Sequence, residues 1–174
     1  MNPGPSTSSA GPSGAGAAAA ASWGLTRYAE WVRLAIAEAQ RVAASGDVPI
    51  GALVVDDAGA VLGRGHNVRE AEHDPTGHAE MVALREAGRA RSSWRLDGCS
   101  LVVTLEPCAM CAGAAVLARV DRIVFGAWDD KAGACGSVWD LPRDRRALHR
   151  AEVVGGVLEG ECAGLLTGFF GPRR

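Results

Sequence analysis

From Trp23 to Ala44, apolar residues recur at three- and four-residue intervals through Leu25, Tyr28, Trp31, Val32, Ala35, Ile36 and Ala39, which predicts a helix with one buried face. Gly46 is placed to end it. The run Pro49 to Val55 (PIGALVV) reads as a buried strand, Asp56 to Gly59 as a turn and Ala60 to Gly65 as the returning strand of a hairpin. Asn67 to Gly77 is polar and contains Pro75, so it reads as a loop that delivers His78 to the start of a helix running to about Gly88, with Met81, Leu84 and Ala87 on its inner face. Ser100 to Leu105 is a strand, and Pro107 is suited to open a helix through about Ala118. The pattern continues with a strand at Arg122 to Phe125, an irregular stretch to Gly136, a charged segment to Arg150, a strand at Glu152 to Leu158 and a helix near Glu161 to Phe170. Strands alternating with helices imply an α/β layered sheet, whose ligands sit beyond the carboxyl ends of the strands.

Composition narrows the class. A chain of 174 residues fits one domain and can bury a core without disulfides. No apolar run approaches the roughly 18 residues of a membrane helix, so a soluble protein without a membrane partner is expected. Residues 1–22, rich in Pro, Gly, Ser and Ala, lack the basic start and leucine-rich centre of a signal peptide and are expected to be a disordered leader to a domain spanning 23–174. The formal net charge is −2, which announces no polyanion partner. Positive charge is nearly all arginine, clustered at Arg143 to Arg150 and at Arg173-Arg174, with Lys131 the single lysine. An odd number of cysteines, Cys99, Cys108, Cys111, Cys135 and Cys162, points to thiols and metal in a reducing cytoplasm.

The chemistry concentrates at TLEPCAMC, residues 104 to 111. Cys108 and Cys111 at a helix start would project two sulfurs from one face, where main-chain N–H groups favour thiolates. A lone pair of this kind also suits a redox dithiol or half of a four-ligand structural zinc site, with Cys99, Cys135, His66, His73 and His149 all available as further ligands. His78 supplies a third ligand, and Glu80 two residues later favours a catalytic site over a structural one. Three protein ligands leave one tetrahedral position for water, and a neighbouring carboxylate can take its proton. His-x-Glu followed by Pro-Cys-x-x-Cys is the signature of zinc deaminases of bases, in which Glu80 would shuttle protons to the ring nitrogen and the departing amine, with backbone amides near Ala79 and Cys108 assisting.

Beyond that signature the chain resembles the bacterial tRNA-specific adenosine deaminases from about Tyr28 to Phe170. The matching stretches are DVPIGALVV (47–55), GRGHNVRE (63–70), HDPTGHAEMVALR (73–85), VTLEPCAMCAGA (103–114), VFGAWDDKAGACGS (124–137), HRAEV (149–153) and GLLTGFF (164–170). The resemblance implies a three-layer α/β/α cytidine-deaminase-like fold with a central mixed five-stranded sheet. It implies one zinc ion per subunit on His78, Cys108 and Cys111, a homodimer, and hydrolysis of adenosine to inosine at the wobble position of an arginine tRNA anticodon by zinc-activated water with Glu80 as proton shuttle. On the substrate side it implies Asn67 bonding the flipped base and Val48, Pro49 and Ile50 walling its pocket, with Ala79 and His149 among the contacts. It further implies Asp129 and Lys131 at the anticodon sugar and backbone, and Phe169 and Phe170 as an aromatic face for an unstacked base. Trp128 departs from the arginine usual in the family, Leu148 from the common asparagine, and Gly171-Pro172 interrupts the expected basic run. A deaminase of a free guanine or cytosine base, and a non-catalytic zinc-supported RNA-binding module, remain as other readings.

Overall fold

A computed structural model of the chain describes residues 14–171. Its elements, in order, are helix α1 (Gly14–Ala39) continued by a 3-10 segment (Gln40–Ala44), strands β1 (Gly51–Asp56) and β2 (Val61–His66), helix α2 (Ala79–Ala90), β3 (Cys99–Leu105), α3 (Ala109–Leu117), β4 (Arg122–Ala127), β5 (Glu152–Val154) and α4 (Glu159–Phe170). The five strands form one sheet in the order β2-β1-β3-β4-β5. β1 pairs antiparallel with both β2 and β3, whereas β3, β4 and β5 run parallel, so the sheet is mixed as expected.

Alternation along the strands divides the core in two. Ala52 and Val54 of β1 join Leu101, Val103, Ile123 and Phe125 under α2 and α3. Leu53 and Val55 face the other way, with Val102 and Val124, against Trp31, Val32 and Ala35 of α1 and Cys162 of α4. Two helices on each face make three layers, and strands buried on both sides explain the continuous apolar runs at β1 and β3.

Several boundaries differ from the sequence reading. α1 begins at Gly14 and not at Trp23, which brings residues 14–22 of the expected disordered leader into helical backbone, in keeping with the high helix propensity of their alanine run. Residues 1–13 of that leader, and Pro172 to Arg174, lie outside the described residues. Gly46, at φ +80°, turns the chain after the 3-10 segment. α3 starts at Ala109, with extended Cys108 as its N-cap, so Pro107 precedes the helix and does not open it. β5 stops at Val154 because Gly155-Gly156 and the left-handed Leu158 (φ +55°) bend the chain into α4.

Candidate active site

The register places several chain ends together. Gly51, the first residue of β1, is opposite His66, the last of β2, and Ala52 is opposite Val103. Leu105 at the end of β3 is opposite Ala127 at the end of β4. One end of the sheet therefore carries Val48 to Ile50, Asn67, Glu106 to Cys108, and Trp128 with Asp129.

Close packing of α2 brings its own first turn to this end. A Cβ at Gly65 would strike the Ala79 carbonyl and the Ala83 nitrogen, and one at Gly63 would strike Ala83 and Ala87. The two glycines of GRGH thus let α2 lie directly on β2, which seats His78. His78 is the N-cap of α2 and Cys108 the N-cap of α3; both are extended and neither side chain caps its own helix. Each side chain is therefore available to a ligand while its carbonyl accepts the first helical bond, from Val82 and Ala112 respectively.

The Nδ1 of His78 is 3.6 Å from Cys108 Sγ and 3.5 Å from Cys111 Sγ. Zn–S bonds of about 2.3 Å and a Zn–N bond of about 2.0–2.1 Å, meeting at the tetrahedral angle, set nitrogen and sulfur about 3.5–3.6 Å apart. The three side chains therefore fit one zinc ion. Among the described residues no fourth His, Cys, Asp or Glu joins the group, so Cys99, Cys135, His66, His73 and His149 do not close it into a structural site. The five cysteines are all unpaired.

Without a metal the electrostatics divide the two ligand thiols. A hydrogen bond from Cys111, reinforced by His78, lowers the Cys108 thiol to about 3. The Cys111 thiol is pushed up, first by its bond to Cys108 and then by burial and the Glu80 carboxyl. Bound zinc would hold both as thiolates. Glu80, 4% exposed in the first turn of α2, is pushed up to about 7 by burial. Such a group exchanges protons readily at neutral pH.

Four of the substrate residues expected from the resemblance share one cleft of about 460 Å³. Val48, Asn67, Phe169 and Phe170 line it together with Asp47 and Arg69. Pro49 and Phe169 line its neighbour, toward Ala39 and Val42. Phe169 and Phe170 meet edge to face at 5.0 Å, and Phe170 is half exposed, which departs from simple core packing of a terminal helix. Asn67 serves the hairpin as well as the cleft: its N–H donates to Ile50 O at 3.2 Å and its Oδ1 accepts from Arg69 N–H at 3.4 Å. Val48, Pro49 and Ile50 precede β1 and do not belong to the strand. Asp47, missed in the sequence, is buried and accepts from the N–H groups of Glu70 and Ala71 at 2.8 and 3.2 Å, tying the segment after Asn67 to the one before β1. Burial alone would raise its carboxyl; these bonds and the Ser45 hydroxyl bring it below the ordinary range.

Asp129 and Lys131 lie on the segment that follows β4. That segment is gathered around Glu106, a buried carboxylate that burial would raise but that bonds from Ser137, Asp129 and Cys135 hold below its ordinary value. Trp128 stands edge to face on Phe125 at 4.8 Å, with 43% of its surface exposed. His149 is placed elsewhere. Its Nε2 lies 2.7 Å from the carbonyl of Val120, ahead of β4 and so at the opposite end of the sheet. A single chain does not bring His149 to the zinc ligands, because β5 begins just after it and must pair with the start of β4.

The model of the cytidine and deoxycytidylate deaminase zinc-binding region matches residues 25–127. The tRNA-specific adenosine deaminase of Bacillus subtilis (strain 168) is 49% identical over 150 residues, covering 86% of this chain and 92% of that protein. That of Haemophilus influenzae is 45% identical over 143 residues, covering 82% and 83%. Among solved structures, one from a study of A-to-I editing by tRNA:A34 deaminases at the wobble position superposes with a TM-score of 0.75 at 39% identity, covering 79% of this chain and 99% of that one. A guanine deaminase from Nitrosomonas europaea superposes with a TM-score of 0.63 at 25% identity, covering 83% of each chain.

Proposed function

The chain belongs to the cytidine and deoxycytidylate deaminase zinc-binding family, and within it to the tRNA-specific adenosine deaminases, and from that premise we propose that it converts adenosine to inosine at the wobble position of an arginine tRNA anticodon. The observation that carries the reading is the pairing of a three-ligand zinc group with buried Glu80 at the sheet end that also bears the Asn67 cleft. His78, Cys108 and Cys111 would hold a zinc ion, which when bound would supply the Lewis acidity that lets water react near neutral pH. Glu80 carries two protons in turn: the first from the attacking water to the ring nitrogen as the C–O bond forms, the second from the oxygen now on the ring carbon to the exocyclic amine, so that the C–N bond breaks, a C=O remains and ammonia leaves. The first-turn N–H groups beside Ala79 and Cys108 carry partial positive charge toward the reacting centre. Asn67, with both a donor and an acceptor in its amide, is suited to hold the base edge. Val48 and Pro49 wall the pocket, and Phe169 and Phe170 offer ring faces to an unstacked base. Asp129 and Lys131 serve the sugar and backbone of the anticodon loop.

The protein acts in the cytoplasm as a homodimer. Leu117 and Leu148, 61% and 80% exposed, flank a groove with Val116 and Leu141, and an apolar patch of this kind is suited to a second copy. Among the described residues no helix is long and apolar enough to cross a membrane. The test is incubation of the zinc-loaded protein with an arginine tRNA, its anticodon stem-loop, and free adenosine, guanine and cytosine, followed by nucleoside analysis. Inosine at the wobble position is expected; faster deamination of a free base would replace this reading with the free-base one.

A further inference from the structure

The carboxylate of Glu106 is 2% exposed and is held by main-chain amides and the Ser137 side chain, not by a cationic side chain. Its Oε2 accepts from the N–H of Asp129 at 3.1 Å, and its Oε1 from those of Cys135 and Ser137 at 2.9 and 3.1 Å. The Asp129 carbonyl in turn accepts from the Ser137 hydroxyl at 2.8 Å and from Gly133 N–H at 3.0 Å. Both main-chain polar groups of Asp129 are therefore fixed from this one carboxylate and the turn it gathers. The Asp129 side chain is oriented as well, since its Oδ1 accepts from the N–H groups of Lys131 and Ala132 at 3.0 and 3.2 Å. On the other side, the same turn is stitched to the zinc-ligand segment. Ala134 N–H donates to Pro107 O at 2.8 Å, Gly133 bridges to Cys108, and Gly133 leaves no room for a Cβ against the Glu106 carboxylate and Ser137.

A carboxylate taken out of water costs stability unless each oxygen is bonded, and none of the chemistry assigned to Glu80 and the zinc ligands uses Glu106. Its place is geometric: it lies between Leu105, which ends β3, and Cys108, and reaches across to the segment after β4. Resting on the tRNA reading above, we infer that Glu106 is a positioning residue that locks the Asp129–Ser137 turn to the zinc-ligand segment and so sets where Asp129 and Lys131 meet the RNA. RNA affinity depends on it more than turnover does.

The substitution that separates this from a general structural role is Glu106→Gln. The amide oxygen can retain the two bonds at Oε1, while its NH2 meets the Asp129 N–H donor to donor, so the loss falls on Asp129. In the zinc-loaded protein KM for the anticodon stem-loop is expected to rise about tenfold, as for one lost bond to a charged acceptor, with kcat within about twofold. Zinc content stays at the wild-type value, and amide hydrogen exchange without RNA accelerates at Asp129 to Ser137. Wild-type KM and exchange, a fall in kcat at constant KM, or loss of zinc would each overturn the inference. Ser137→Ala, which removes the hydroxyl that bonds the Asp129 carbonyl and supports the Glu106 carboxylate but leaves the main-chain bonds to Glu106, serves as second variant and is expected to show the same exchange change and a smaller rise in KM; its absence there overturns the inference where Glu106→Gln does not fold. Exchange is read without substrate, so it judges the lock even if the wild-type protein fails to deaminate the stem-loop, a failure that would count against the tRNA reading instead.

Discussion

The Nδ1 of His78 and the Sγ of Cys108 lie 3.6 Å apart although thirty residues separate them in the chain, and each belongs to the residue that caps a helix. Two helix N-termini thus meet at one ion site, and their partial positive charges favour the thiolates that site requires.

Cys108→Ser tests that arrangement. Serine is a good N-cap, so α3 is expected to remain formed by circular dichroism. Zinc content is expected to fall at least about tenfold, because a hydroxyl is a poor substitute for a thiolate on zinc. Bound zinc after dialysis, measured by elemental analysis, gives the answer; full occupancy would remove Cys108 from the ligand set.

Glu80→Ala should leave zinc in place while deamination falls by about 10²-fold or more, the range of a lost acid–base group. The fold should not suffer, since the carboxylate is buried at a cost and is not a metal ligand. Single-turnover inosine formation at equal zinc content is the measurement, and wild-type turnover would end the proton-shuttle assignment.

Gly65→Val addresses the seat of α2. The added side chain meets the Ala79 carbonyl and must push the helix off β2. Denaturant unfolding is expected to show a loss of about 1–3 kcal/mol, as for other overpacked sites. Zinc affinity should fall with it, because His78 moves with the helix. Unchanged stability would mean that α2 and β2 have more play than their packing indicates.

Asp47→Asn carries a pH signature. The folded carboxyl titrates below its ordinary value, so its stabilisation is complete above the unfolded pKa of about 4 and is lost as pH falls through the folded value. His66, the titratable group whose charge lowers the Asp47 carboxyl, adds to the stabilisation only where it is protonated. The variant is expected to be about 1–3 kcal/mol less stable at pH 7, with the difference shrinking below about pH 4. Unfolding curves at pH 7 and pH 3 check this, and an equal deficit at both would show that packing, not charge, is lost.

Much of the architecture was legible because strand and helix periodicities are local. The continuous apolar runs in GALVV and SLVVT mark strands buried on both sides, and the spacing of Trp31, Val32 and Ala35 names a helix face, without knowledge of the partners. The zinc set was legible for a similar reason: His78 with Glu80 and Cys108 with Cys111 are short motifs whose residue types suit one chemistry. Expectations failed where a boundary depended on distant contacts. β5 stops at Val154, just before Gly155, against which the Phe125 and Trp128 rings lie, and Cys108 caps α3 as the chain turns from β3.

Periodicity and motif spacing by themselves thus determined an α/β layered sheet and the ligand types, and singled out Glu80 as the candidate acid–base group. Tertiary structure decided which histidines and cysteines stay away from the ion, which residues share the Asn67 cleft, and that His149 sits at the other end of the sheet. It also decided that Glu106, silent in the motif between Leu105 and Pro107, reaches the turn that carries Asp129. The reason is one of range. Side-chain spacing within an element is set by the backbone repeat a few residues long. Distances between residues twenty to a hundred positions apart are set by strand order, register and how closely a helix can lie on its sheet, and at Gly63 and Gly65 that closeness rests on the absence of a single carbon.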